Sequence, residues 1–139
     1  MTDSWATLFK TFQKLQNLMQ EEFKRLNLPD MEVYDVLWTL EKSENHSLRL
    51  NELGEQVVMA KFNITRICKR LEESGLIERV KCPSDKRGIH AKLTKKGRDL
   101  RLKTWKVYSQ LIEENFSSKL TANDHKNLIL ILRKTGFSN

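Results

Sequence analysis

Residues 60–94 read AKFNITRICKRLEESGLIERVKCPSDKRGIHAKLT, and within them the apolar spacing changes from that of a helix to that of strands. Ile64, Ile67, Cys68 and Leu71 recur at i, i+3, i+4 and i+7, the spacing of one helical face. Gly75 follows Glu72, Glu73 and Ser74, where a left-handed residue closes such a helix. The pattern then alternates. Residues 77–82 and 89–93 each read as a half-buried strand. The polar run Pro83, Ser84, Asp85, Lys86, Arg87, Gly88 between them predicts a hairpin with a long, charged tip. Thr94 is a good N-cap for a long helix beyond it.

Working outward, Trp5, Leu8, Phe9, Phe12, Leu15, Met19, Phe23 and Leu26 form one helical stripe. Pro29 and Asp30 punctuate, and a second helix follows with Val33, Val36, Leu37 and Leu40 inward. The polar residues 41–47 read as a loop, and a short helix then carries Leu50, Leu53 and Val57. Downstream of the hairpin, Leu100, Trp105, Tyr108, Leu111, Ile112 and Phe116 lie on the long helix. Thr121 and Asp124 resemble a capping box, with Asp in the usual Glu position. A last helix with Leu128, Ile129 and Leu132 ends at Gly136. The expected fold is mainly α with a small β-hairpin wing (α+β). The short helices meeting around Val57 to Lys61 form a helix-turn-helix, and the hairpin is its wing. The chain of 139 residues is most simply one domain.

Charge narrows the function. The net charge is +7, and it is not evenly spread. Residues 49–106 hold 16 Lys/Arg against 7 Asp/Glu, a net of +9, which leaves −2 for the rest. A basic middle flanked by segments of another character is the footprint of a nucleic-acid-binding module. The longest apolar run, residues 128–132, is far short of the roughly 18 residues of a membrane span. No signal pattern opens the chain, so a cytoplasmic protein without a membrane partner is expected. Cys68 and Cys82 form neither a disulfide framework nor a zinc pair, and His46, His90 and His125 are scattered. No metal or cofactor is expected. With no phosphate loop, and no nucleophile spaced with a base, neither is an enzyme.

Opposite the apolar face of the second short helix, Phe62, Thr65, Arg66, Lys69 and Arg70 point outward, with Lys61 and Asn63 beside them. Such a face offers Arg or Lys to guanine, Asn to adenine and Thr to several acceptors, while its cations neutralise phosphates. Residues 61–70 contain no acid, unlike an ordinary exposed helix. Phe62 is odd there. Two readings stand: its ring touches a thymine methyl, or it folds back onto the preceding helix, the second being preferred. It is the only aromatic residue between Arg49 and Lys96, which favours duplex DNA over single strands or RNA.

Several of these pieces together resemble one family. Asn63, Ile64, Thr65 and Arg66 through Arg70 and Leu71, then Gly75 to Arg79, look like the recognition helix and exit turn of the MarR family. Residues 83–88, then Leu93, Thr94 and Gly97, are similar to its D-x-R wing and the L-T-x-x-G start of its next helix. The resemblance implies that Arg87, with Lys86 beside it, reaches DNA from the wing, Arg87 in the minor groove. It implies that Asp85 braces the wing tip by pairing with an arginine. It assigns residues 1–28 and 98–139 to a homodimer interface and residues 29–97 to winged-helix DNA binding. The bulk of Trp5, Phe9, Phe12, Phe23, Trp105, Tyr108, Phe116 and Phe137 accords with such an interface. The dimer would address a pseudo-palindromic duplex operator.

The resemblance further implies a transcriptional repressor released by a small aromatic or phenolic effector. Two departures stand out: Ala60 lies where a capping Ser or Thr is usual, and Val58 where the turn often has Gly. Cys82, near Lys81 and Lys86, opens an alternative of thiol-redox control, whereas Cys68 reads as core. A winged-helix module that binds protein and not DNA is the other alternative.

Overall fold

The computed structural model describes residues 2–82, 84 and 88–137. Its elements run α1 (Thr2–Arg25), α2 (Met31–Lys42), a short 3-10 turn (Glu44–His46), β1 (Ser47–Arg49), α3 (Leu50–Gln56), α4 (Ile64–Glu73), β2 (Ile77–Lys81), β3 (Ile89–Leu93), α5 (Lys95–Asn115), a second 3-10 turn (Ser117–Lys119) and α6 (Ala122–Arg133). The architecture is the expected one, helices around a small antiparallel sheet. The sheet has three strands in the order β1-β3-β2, however. Residues 41–47, expected as loop, end in β1, which pairs Ser47, Leu48 and Arg49 with Lys92, Ala91 and His90. A three-residue strand is too short to display alternation, so only its partner reveals it.

Two cores divide the molecule. The first joins Val33, Val36, Leu37 and Leu40 of α2 to Leu53, Val57, Ala60, Ile67, Cys68, Leu71, Ile77, Ala91 and Leu93. Desolvation raises the Cys68 thiol to about 11, so it stays protonated within that core. The second core joins α1, α2 and α5 through Met19, Phe23, Leu28, Met31 and Leu111. Phe23, counted above with the interface aromatics, therefore belongs to a core within the chain. Phe23 is fully buried and packs edge-on to Tyr108 at 5.6 Å. The stripe on α1 is thus split between its ends, with Trp5, Phe9 and Phe12 exposed near the start and Phe23 buried near the finish.

Helix ends follow local chemistry. Asp30 caps α2 by accepting from the Val33 amide at 2.9 Å. At α6, Thr121 and Asp124 form the expected capping box. Gly75 closes α4 with φ of 71°. There the Leu76 amide bonds to Leu71 O at 2.9 Å and the Gly75 amide to Glu72 O at 3.0 Å. The Thr94 hydroxyl accepts from the Gly97 amide at 3.1 Å and donates to Gly75 O at 2.7 Å. One side chain thereby ties the end of α4 to the start of α5. No described helix is long and apolar enough to cross a membrane.

Candidate nucleic-acid interface

The turn between α3 and α4 is held from outside. The Asp35 carboxylate, on α2, accepts from the backbone amides of Val58 at 2.8 Å, Met59 at 2.7 Å and Ala60 at 3.3 Å. These amides have no helical partner, and a carboxylate from another helix does the work of a local cap. The first helical residue is Ile64 and the N-cap position falls on Asn63, not on Ala60. Ala60 is fully buried in the first core. Its small side chain is what that site accommodates, and Val58, at the outer edge of the turn, is exposed. Sequence reasoning missed Asp35 because its partners lie 23 to 25 residues away. The available signal is an acid set in the otherwise apolar run from Val33 to Leu40.

We expect Asp35→Ala to lower stability by about 2 kcal/mol, since charged acceptors of this kind contribute roughly 1.5–3 kcal/mol. Asp35→Asn, which keeps one acceptor oxygen, should restore part of it. Thermal melts, with amide exchange at residues 58–60, check the order wild type, Asn, Ala.

From this support α4 projects its charged face. Thr65, Arg66, Lys69 and Arg70 are exposed on α4, and Lys61 is exposed on the preceding turn. Among the described residues, Arg66, Lys69 and Arg70 make no side-chain hydrogen bond or ion pair, so their charges are unspent within the fold. Asn63 differs: it is half-buried, and its amide nitrogen lies 3.4 Å from both Glu32 carboxylate oxygens. Phe62 does not fold back onto the preceding helix. It is 100% exposed. The turn before α4 carries it away from the core, where a residue within a regular first helical turn would have lain closer.

The hairpin forms with the register Ile77 to Leu93 and Lys81 to Ile89. Asp85, Lys86 and Arg87 lie outside the described residues. At the hairpin base the Cys82 amide donates to Gly88 O at 2.8 Å. The Cys82 side chain is buried, with its sulfur 3.2 Å from Ser84 Oγ and 3.8 Å from an Arg49 guanidinium nitrogen. Arg49, brought there by the unforeseen β1, places a basic residue at the wing base.

A cavity of about 470 Å³ is lined by Tyr34, Trp38, Arg101, Trp105 and Tyr108 together with Asp35, Val58 and Met59. Tyr34 stacks on Trp105 at 6.4 Å and meets Tyr108 edge-on at 5.3 Å. The Arg101 guanidinium sits over the Trp38 ring at 4.8 Å and pairs with Glu41. Burial pushes the Glu41 carboxyl up, but Arg101 and Arg98 outweigh it and hold the group below its ordinary value. The cavity thus shares Val58 and Met59 with the turn that starts α4, and Asp35 with the helix that holds that turn.

Among known proteins, the MarR family model matches residues 31–89. The uncharacterized HTH-type transcriptional regulator YkoM of Bacillus subtilis strain 168 is 31% identical over 88 residues, 63% of this chain and 56% of that protein. The transcriptional repressor MprA of Escherichia coli strain K12 is 40% identical over 67 residues, 48% of this chain and 38% of its own length. The chain therefore spans about half the length of these relatives, or less. Sco3205, a MarR family transcriptional regulator from Streptomyces coelicolor solved in complex with DNA, superposes with a TM-score of 0.86 at 25% identity, covering 97% of this chain and 84% of its own.

Proposed function

We propose that this chain, whose residues 31–89 match the MarR family model, is a MarR-type regulator: a dimeric, cytoplasmic, sequence-specific repressor of transcription. In this reading α4 of each protomer enters the major groove of a duplex operator. Arg66 and Arg70 read bases, Thr65 and Asn63 flank them, and Lys61 and Lys69 neutralise phosphates. From the wing, Arg87 and Lys86 take the adjacent minor groove and backbone, braced by Asp85. The observation that carries the reading is the acid-free outer face of α4, whose cations are exposed and have no partner among the described residues.

The dimer is assigned to residues 1–28 and 98–139, leaving residues 29–97 for DNA. Its support is the apolar surface left uncovered on the terminal helices. Trp5, Phe9 and Phe12 of α1 and Ile129, Leu130 and Ile131 of α6 are all exposed, and α6 buries none of its residues. Exposed bulky apolar side chains gathered on two helices are what an interaction site requires. A second copy would pair two α4 helices on a pseudo-palindrome about one helical turn apart.

The effector is assigned to the cavity between the two parts, where an aromatic or phenolic molecule meets Tyr34, Trp38 and Trp105. Asp35, Val58 and Met59 also line it, so an occupant touches the turn that positions α4. Cys82 is given no part, because its side chain is buried at the hairpin base.

Fluorescence anisotropy with duplex DNA across a salt series tests the reading. Neutralising about six phosphates gives a slope of log K against log salt of about −5. Absence of duplex binding, or binding indifferent to salt, identifies a protein-interaction module in place of a DNA-binding regulator.

A further inference from the structure

Phe62 is the feature that the proposed function leaves over. Its side chain is 100% exposed, two residues before α4 begins. It also stands in unusual company. Lys61 precedes it, Thr65 and Arg66 follow three and four residues on, and no acid occurs in residues 61–70. Water gains nothing from a bare aromatic ring, and the first core beneath it is already closed by Ala60 and Ile67. A protein-docking surface would need a contiguous apolar area of some hundreds of Å². A single ring bordered by cations does not supply that. The floor of the major groove offers one apolar group among its donors and acceptors, the 5-methyl of thymine.

We propose that Phe62 is a specificity-determining residue that contacts a thymine 5-methyl group at one position in each half-site. The inference rests on the DNA-binding reading above and assigns that site an element of sequence preference that its charged residues do not provide. Lys61 and Arg66 bring the ring to the groove through the phosphates and the neighbouring base, and the ring then rewards a methyl over a hydrogen at a single pyrimidine. The contact is apolar, so it adds nothing to the dependence on salt.

The test uses the full-length chain and a duplex enriched by it from a random-sequence pool, resynthesised with deoxyuridine in place of each thymine in turn. The wild type should show one thymine per half-site whose methyl removal weakens binding about fourfold, and about fifteenfold when both are removed. Phe62→Ala should bind the thymine duplex more weakly by the same factors and be indifferent to the methyl. Its salt slope and melting temperature should equal those of the wild type, since neither a charge nor a buried contact is lost. Phe62→Leu should keep part of the methyl preference. The proposal is overturned if Phe62→Ala retains the wild-type methyl preference, or if no thymine position responds. It is equally overturned if the variant changes the sedimentation of the protein and leaves methyl sensitivity unaltered, which makes the ring a protein contact. Failure of the wild type to enrich or bind any duplex is a distinct result. It removes the DNA-binding reading, and this inference with it.

Discussion

Replacing Arg66 and Arg70 together by alanine is expected to weaken operator binding by about a thousandfold or more while leaving the fold intact. A well-placed arginine on a base edge is worth about 1–3 kcal/mol. Two such residues in each of two protomers lose at least about 4 kcal/mol, and about 1.4 kcal/mol is a factor of ten. Up to four positive charges leave the interface, so the salt dependence should flatten as well. The fold has little reason to respond. Both side chains are exposed, neither bonds to another described residue, and alanine is the best helix former. The decisive comparison sets anisotropy titrations of the double variant beside its thermal melt. A loss of less than tenfold with an unchanged melt would remove α4 from the role of reading helix.

The second large effect concerns stability, and here two rules oppose each other. Gly97 lies in the first turn of α5, where alanine would ordinarily gain about 1 kcal/mol over glycine. A Cβ at that position, however, would stand 2.1 Å from the carbonyl oxygen of Leu76 and 2.8 Å from Leu93 Cδ1. The oxygen is backbone and already accepts the Thr94 amide at 3.2 Å, so it has no free direction in which to retreat. Relief requires α5 to lift from the turn after α4, with loss of the Thr94 bonds to Gly75 and Leu76. Overpacking of this kind costs about 1–3 kcal/mol and sometimes more. We expect Gly97→Ala to lose about 3 kcal/mol, near 10 °C in melting temperature for a chain of this size. Denaturant unfolding checks it, and a variant more stable than the wild type would show that the close approach is not maintained in solution.

Legibility in the sequence followed the range of the interactions. The inward stripe of α2, the exposed face of α4, the cap at Thr94 and the capping box at Thr121 all depend on neighbours within one or two turns, and the pattern displays them. What depends on distant parts of the chain was hidden. β1 exists because β3 passes beside it, not because Ser47, Leu48 and Arg49 alternate. Asp35 caps a turn more than twenty residues away, so Ala60 and Val58 look like departures until that carboxylate is seen. Phe23 belongs to the same stripe as Phe9 and Phe12, yet only packing against α5 decides that it is core. Phe62 inverted the expectation, because the helix begins at Ile64 and the turn before it carries the ring outward.

The tie of α4 at both ends bears on how such a protein diversifies. Asp35 fixes its start and Thr94 its finish, while Ile67, Cys68 and Leu71 fix its inner side. None of these anchors uses the outward side chains. Exchanges at Thr65, Arg66, Lys69 and Arg70 are therefore expected to be nearly neutral for folding, and under the proposed DNA-binding reading the sequence preference can change one residue at a time. The scaffold stays constant while its outward side chains change.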